Sequence, residues 1–197
     1  MLFRSNFFGM IANIDHNLGL LRNHLNDLNL AENTILIFMT DNGTSAGCKF
    51  PGLDTEPSVG FNAGMRGKKS SIYEGGHRVP FFLHWPSAGY SEGRDIETLS
   101  AHIDVLPTLA DLCKLPKPDK RFDVDGLSLT PLLAGKAKSW KRNHLFLQYH
   151  GGAHHKFALG PLTNSVVMTE RWRLVNTDKA EELYDIVNDP AQRNNIA

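Results

Sequence analysis

With 197 residues, 41% of them hydrophobic, the chain is long enough to bury an ordinary globular core. Its 21 basic and 21 acidic residues cancel to a formal charge of zero, which excludes a broad basic footprint for nucleic acid and leaves any anion site to be local. Two cysteines, Cys48 and Cys113, are too few for a disulfide framework and lack C-x-x-C spacing, and no apolar run reaches the roughly 18 to 20 residues that cross a bilayer.

Along the chain, Ile11, Ile14, Leu18, Leu21, Leu25 and Leu28 recur in steps of three and four, which predicts an amphipathic helix with its stripe turned to a core. Asn29 to Asn33 ends that pattern. Thr34 to Met39 is a continuous apolar run and reads as a central strand of a parallel sheet, buried on both faces. Asp41 to Gly67 carries six glycines and two prolines without periodicity, as a long functional loop would. Val79 to Trp85 is a second candidate buried strand. Asp104 is placed to cap a helix through Leu109 to Cys113, with Pro107 in its first turn. Gly126 to Gly135 predicts a short helix with Ser128 as N-cap and Gly135 just past its end. Lys136 to Lys141 is the candidate linker. Beyond it, runs at Leu145–Tyr149, Ser165–Thr169, Trp172–Asn176 and Glu182–Tyr184 are spaced for a small antiparallel sheet.

Two segments carry candidate chemistry. Asp41-Asn42-Gly43 follows directly on the apolar strand, where open α/β sheets place their ligands; the carboxylate and carboxamide offer hard oxygens to calcium or magnesium, although the same string is good turn chemistry. Arg66 to Pro80 sets small residues beside Lys68 and Lys69, which permits close approach to an anion, although a lysine pair is also ordinary surface and no Walker-A spacing is present. His77 is a candidate substrate contact or a structural residue. His150 and His154 have the spacing of a zinc helix, but Gly151 and Gly152 argue against a helix there and no Glu lies between the histidines.

Taken in order, the strand ending in Asp41-Asn42-Gly43, Lys69 five residues before Glu74-Gly75-Gly76, and then Val79-Pro80 resemble the sulfatase family. The likeness continues through Asp104-Val105-Leu106-Pro107-Thr108-Leu109, Asp125-Gly126-Leu127-Ser128-Leu129, Glu182-Leu183-Tyr184-Asp185 and Asp189-Pro190, and covers nearly the whole chain from about Phe8. The resemblance implies an α/β, alkaline-phosphatase-like fold, present in part, with residues 1–140 in the catalytic domain and 141–197 forming a small antiparallel α+β subdomain. It implies a calcium ion held by two further aspartates together with Asp41 and Asn42. It implies that Lys69 contacts a sulfate oxygen, with His77 near substrate, and that the substrate is a sulfated small molecule or glycan.

The family's nucleophile is a formylglycine made in a C-x-P-S-R motif, and neither Cys48 nor Cys113 stands in one. The chain therefore reads as the carboxyl-terminal two-thirds of such an enzyme, with a missing amino-terminal portion and no signal peptide of its own, whereas family members are commonly periplasmic, lysosomal or secreted. A related phosphodiesterase or phosphonate hydrolase, and a noncatalytic protein that keeps the fold, are the alternative readings.

Overall fold

The computed structural model describes residues 2–44, 62–116, 124–149, 164–177 and 179–197. They fall into two compact units, one of Met1–Met39 with Phe81–Arg94 and one of Thr40–Pro80 with Asp95–Ala197. The subdomain boundary expected at residue 140 lies within the second unit.

In the first unit, helix α1 (Leu2–Asp27) contains the predicted stripe. It ends where Asn29 turns left-handed at φ 56°, its N–H reaching the Asn26 carbonyl (2.9 Å) while the Leu30 N–H reaches that of Leu25 (2.8 Å). Those two bonds satisfy carbonyls that the last helical turn would otherwise leave open, and asparagine tolerates the conformation. The stripe does not become a core within this unit: Leu18 and Leu25 are partly covered, whereas Ile11, Ile14, Leu21 and Leu28 stay exposed. Strand β1 (Leu36–Met39) occupies the predicted apolar run, but its partner β2 (Phe81–His84) runs antiparallel, pairing Leu36 with His84 and Met39 with Phe81. Neither strand is buried on both faces. An unbroken apolar run specifies a strand; it carries no information about the direction of the neighbour.

The second unit contains a single helical turn α2 (Glu74–His77), helix α3 (Val105–Leu112), the short α4 (Thr130–Leu133) and an antiparallel meander of β3 (Leu145–Gln148), β4 (Ser165–Met168), β5 (Trp172–Asn176) and β6 (Glu181–Asp185). The sheet is the one the strand spacing predicts. Its register aligns Leu145, Met168, Arg173 and Tyr184 in one cross-strand row and Leu147, Val166, Val175 and Glu182 in another. Because side chains alternate along a strand, these two rows share a face. Leu145, Val166, Met168, Val175 and Tyr184 form the core with Ile72, and Leu99, Ile103 and Leu147 pack around it.

Helix α4 ends as predicted. Gly135 is left-handed at φ 73° and its N–H meets the Leu132 carbonyl (3.0 Å), while the Lys136 N–H meets that of Pro131 (2.7 Å). The cap of α3 differs from expectation. The Asp104 side chain does not cap that helix; fully buried, it accepts N–H groups from Ala101 (2.8 Å) and Leu127 (2.7 Å) and pairs with the Arg142 guanidinium. Thr108 completes the junction, donating to the Asp104 carbonyl (2.5 Å) and accepting the Leu129 N–H (2.8 Å). Gly126 has no room for a side chain there, since a Cβ would stand 1.9 Å from the Ile103 carbonyl oxygen. Asp104→Ala leaves the Arg142 charge buried without its partner and is expected to destabilise the chain by about 3 to 5 kcal/mol. Urea denaturation measures this, and a loss below about 1 kcal/mol would show that the junction contributes little.

Candidate functional site

The backbone brings the two chemically suggestive segments together. After β1, residues Asp41 to Thr44 form a turn whose Gly43 N–H donates to the Gly76 carbonyl of α2 (3.0 Å). Two residues beyond Asn42, the Thr44 carbonyl accepts the N–H of Lys69 (2.8 Å). The Asp-Asn pair and the lysine therefore stand on adjoining turns of backbone.

Glycine makes that approach possible. A Cβ on Gly43 would stand 1.9 Å from the Gly75 carbonyl oxygen, one on Gly75 would stand 2.3 Å from that of Gly67, and one on Gly76 would stand 2.2 Å from that of Ser71. The Arg66–Ser71 loop wraps so closely on α2 that the Gly75 N–H bonds to the Arg66 carbonyl (2.7 Å). No L side chain fits between backbones at these separations.

Under this backbone lies a polar base. Glu74, only 1% exposed, accepts the Nε–H of Arg173 on β5 at 2.6 Å, and Arg78 Nη1 stands 3.5 Å from its other oxygen. Arg173 is itself 5% exposed and also donates from Nη1 to the carbonyls of Thr169 and Trp172, so both ends of its guanidinium are held. The Glu74 N–H donates to Gln192 Oε1 (2.9 Å). At the start of the loop, the Arg66 guanidinium lies 3.8 Å from the centroid of the Tyr73 ring and donates to the Tyr184 hydroxyl (2.5 Å). Both phenols donate to the Glu182 carboxylate, at 2.8 Å from Tyr73 and 2.7 Å from Tyr184. Burial first, and then those bonds to Glu182, push both phenol pKa values up to about 12, so the tyrosines stay neutral donors.

The predicted site residues sit above this base. Asp41 and Lys69 are exposed and Asn42 is partly covered; among the described residues no hydrogen bond or ion pair engages the three side-chain tips. Asp41 and Asn42 present hard oxygens of the kind calcium takes, two side chains against the roughly six to eight ligands that such an ion collects. Among the described residues there is no cluster of three or more His, Cys, Asp or Glu around them. His77 is largely buried on α2; its Nε2 stands 3.9 Å from Glu74 Oε1, and that nitrogen has no hydrogen-bond partner among the described residues. Cys113 is a free, exposed thiol. Cys48, His150, His154 and His155 lie outside the described residues.

The sequence does not mark the polar base as functional. Glu74 and Tyr184 stand in motifs, but only as landmarks. Arg173 had a usable signal: in Trp172-Arg173-Leu174-Val175 the period of two puts it on the face of Val175, and a charge at a core-facing position requires a buried partner.

Comparison with known proteins shows the family. The family model "Sulfatase" matches residues 3–115, and the model "N-sulphoglucosamine sulphohydrolase, C-terminal" matches residues 66–197. Human steryl-sulfatase is 33% identical over 144 residues, covering 73% of this chain and 24% of its own length. An N-acetylgalactosamine-6-O-sulfatase of Bacteroides thetaiotaomicron is 29% identical, covering 95% of this chain and 37% of its own. Among solved structures, the phosphonate monoester hydrolase of Agrobacterium radiobacter superposes with a TM-score of 0.69 at 25% identity, over 98% of this chain and 37% of that one. The chain thus spans well under half the length of these relatives.

Burial holds the His77 pKa below its ordinary 6.5, outweighing the Glu74 charge and a hydrogen bond with the Ile72 backbone that act in the other direction. The unfolded chain then takes up the proton before the folded one does. The His77 contribution to stability is intact above about pH 6.5 and is lost as pH falls from there toward the lowered folded-state value. Urea denaturation across this range is expected to show a steeper acid-side decline for the native chain than for His77→Gln. Equal slopes would mean that His77 titrates alike in both states.

Proposed function

The chain belongs to the sulfatase family and carries part of its alkaline-phosphatase-like fold, and from that premise we propose that it supplies the sulfate-contacting lysine and one half of a calcium site for sulfate-ester hydrolysis. The observation that carries this reading is the pair of backbone bonds, Gly43 to Gly76 and Lys69 to Thr44, which set the Asp-Asn turn beside the lysine loop. Residues 141–197 correspond on this reading to the small carboxyl-terminal subdomain of the family.

The division of labour follows from the chemistry of the groups. Asp41 and Asn42 would hold the ion through carboxylate and carboxamide oxygens, and a bound calcium supplies Lewis acidity toward the sulfate oxygens and a template for the attacking group. Lys69 brings an ammonium with three donors to a sulfate oxygen, where it stabilises the charge that grows as the S–O bond breaks. The backbone contact with Thr44 fixes where the lysine side chain begins. His77 is the weaker candidate substrate contact, because its Nε2 is buried. The 197 residues contain no C-x-P-S-R motif, so turnover requires the family's formylglycine segment in addition. The substrate is a sulfated glycan or aryl sulfate.

A second reading, phosphonate hydrolysis, has the support of the Agrobacterium radiobacter structure. The curated relatives described above, both sulfatases by name, favour sulfate. Protein that includes the nucleophile-bearing segment distinguishes the two by its relative kcat/KM on an aryl sulfate and an aryl phosphonate.

In that protein Lys69→Ala is expected to lower kcat by about 10² to 10³, with no recovery at high calcium. Asp41→Ala should weaken ion binding and recover part of its activity as calcium rises. Lys68→Ala, one residue out of register, should be nearly silent. A crippled Lys68→Ala with an active Lys69→Ala would move the sulfate contact to Lys68.

A further inference from the structure

We propose that Arg173 and Tyr184, cross-strand neighbours on β5 and β6, are positioning residues for Lys69, holding the Arg66–Glu74 segment in register against the Asp41–Thr44 turn. The two residues grip opposite ends of the segment. Tyr184 takes the Arg66 guanidinium at its start, and Arg173 takes the buried Glu74 carboxylate at its end. Between them Ile72 enters the sheet core. Lys69 lies near the middle of a segment pinned at both ends and anchored in the core at Ile72.

The grip reaches the site through backbone. Glu74 begins α2, whose Gly76 carbonyl receives Gly43, while the Arg66 carbonyl receives Gly75. A shift of α2 would therefore move Gly43, and a shift of Arg66 would move the loop that gives Lys69 to Thr44. The composition of the sheet points the same way. Its inner rows are apolar on β3 and β4 and turn polar at Arg173, Tyr184 and Glu182, the positions facing this segment. Apolar residues would serve packing alone at least as well as a buried ion pair, whereas an ion pair fixes one geometry.

The chemical meaning of the positioning rests on the Lys69 reading, but its test does not. Amide hydrogen exchange on the whole chain reads the Gly43 and Lys69 N–H groups directly. Arg173→Met is expected to speed both by about tenfold or more while amides of β3 and β4 change little, and Arg173→Lys should restore part of the protection. Tyr184→Phe keeps the ring and removes only the hydroxyl; it should speed Lys69 more than Gly43, and it carries the test alone if Arg173→Met fails to fold. Unchanged exchange at Gly43 and Lys69, or equal acceleration of these amides and those of β3 and β4, overturns the proposal. A silent Lys69→Ala in the activity assay would instead remove the sulfate assignment and leave the coupling standing.

Discussion

A carboxylate removed from water has to be met by positive charge and hydrogen bonds, and the Glu74–Arg173 contact is where this chain meets that requirement. Glu74 is the first residue of the turn whose glycines receive the Asp41–Thr44 segment on one side and the Arg66–Ser71 loop on the other. Arg173 belongs to a four-stranded hydrogen-bonded sheet, and its own guanidinium is tied to backbone carbonyls beside it. The ion pair thus connects the least regular part of the second unit to the most regular part. Removing either member would leave the other charged and buried, which is far more damaging than the net value of the pair suggests.

On that foundation the site is assembled mainly from backbone. Gly43, Gly75 and Gly76 let three stretches of main chain approach until a single methyl group would collide, and the hydrogen bonds among them set the spacing. The side chains of the proposed site then extend from short turns of this backbone: Asp41 and Asn42 with oxygens suited to a hard cation, Lys69 with an ammonium suited to an anion. Buried Tyr184, partly buried Tyr73 and the Glu182 carboxylate hold Arg66, and both phenols stay neutral.

Local signals carried the local structure. Left-handed residues ended α1 and α4 where Asn29 and Gly135 stand, and turn spacing with alternation laid out β3 to β6. The pairing of the Asp41 and Lys69 segments was legible only as a family resemblance, because the hydrogen bonds that create it join residues far apart in the chain and leave no periodic trace. The direction of β2 was not legible for a related reason: Phe81 to His84 is apolar enough to be a strand in either orientation. Asp104 shows competition between partners. A helix cap was the nearest use for its carboxylate, but Leu127 and Arg142 arrive from distant positions and take it. The α1 stripe marks the opposite limit, since amphipathic spacing identifies a face without supplying what covers it.

On the proposed reading, Asp41 through a bound ion and Lys69 directly act on one sulfate group from adjoining turns. That reading is tested most directly by a crystal structure of the protein with its nucleophile-bearing segment, grown with calcium and a sulfate-ester analogue. The account predicts calcium on the Asp41 and Asn42 oxygens and Lys69 Nζ within hydrogen-bond distance of a sulfate oxygen. A sulfate group bound without Lys69, or an ion bound away from Asp41, would contradict it.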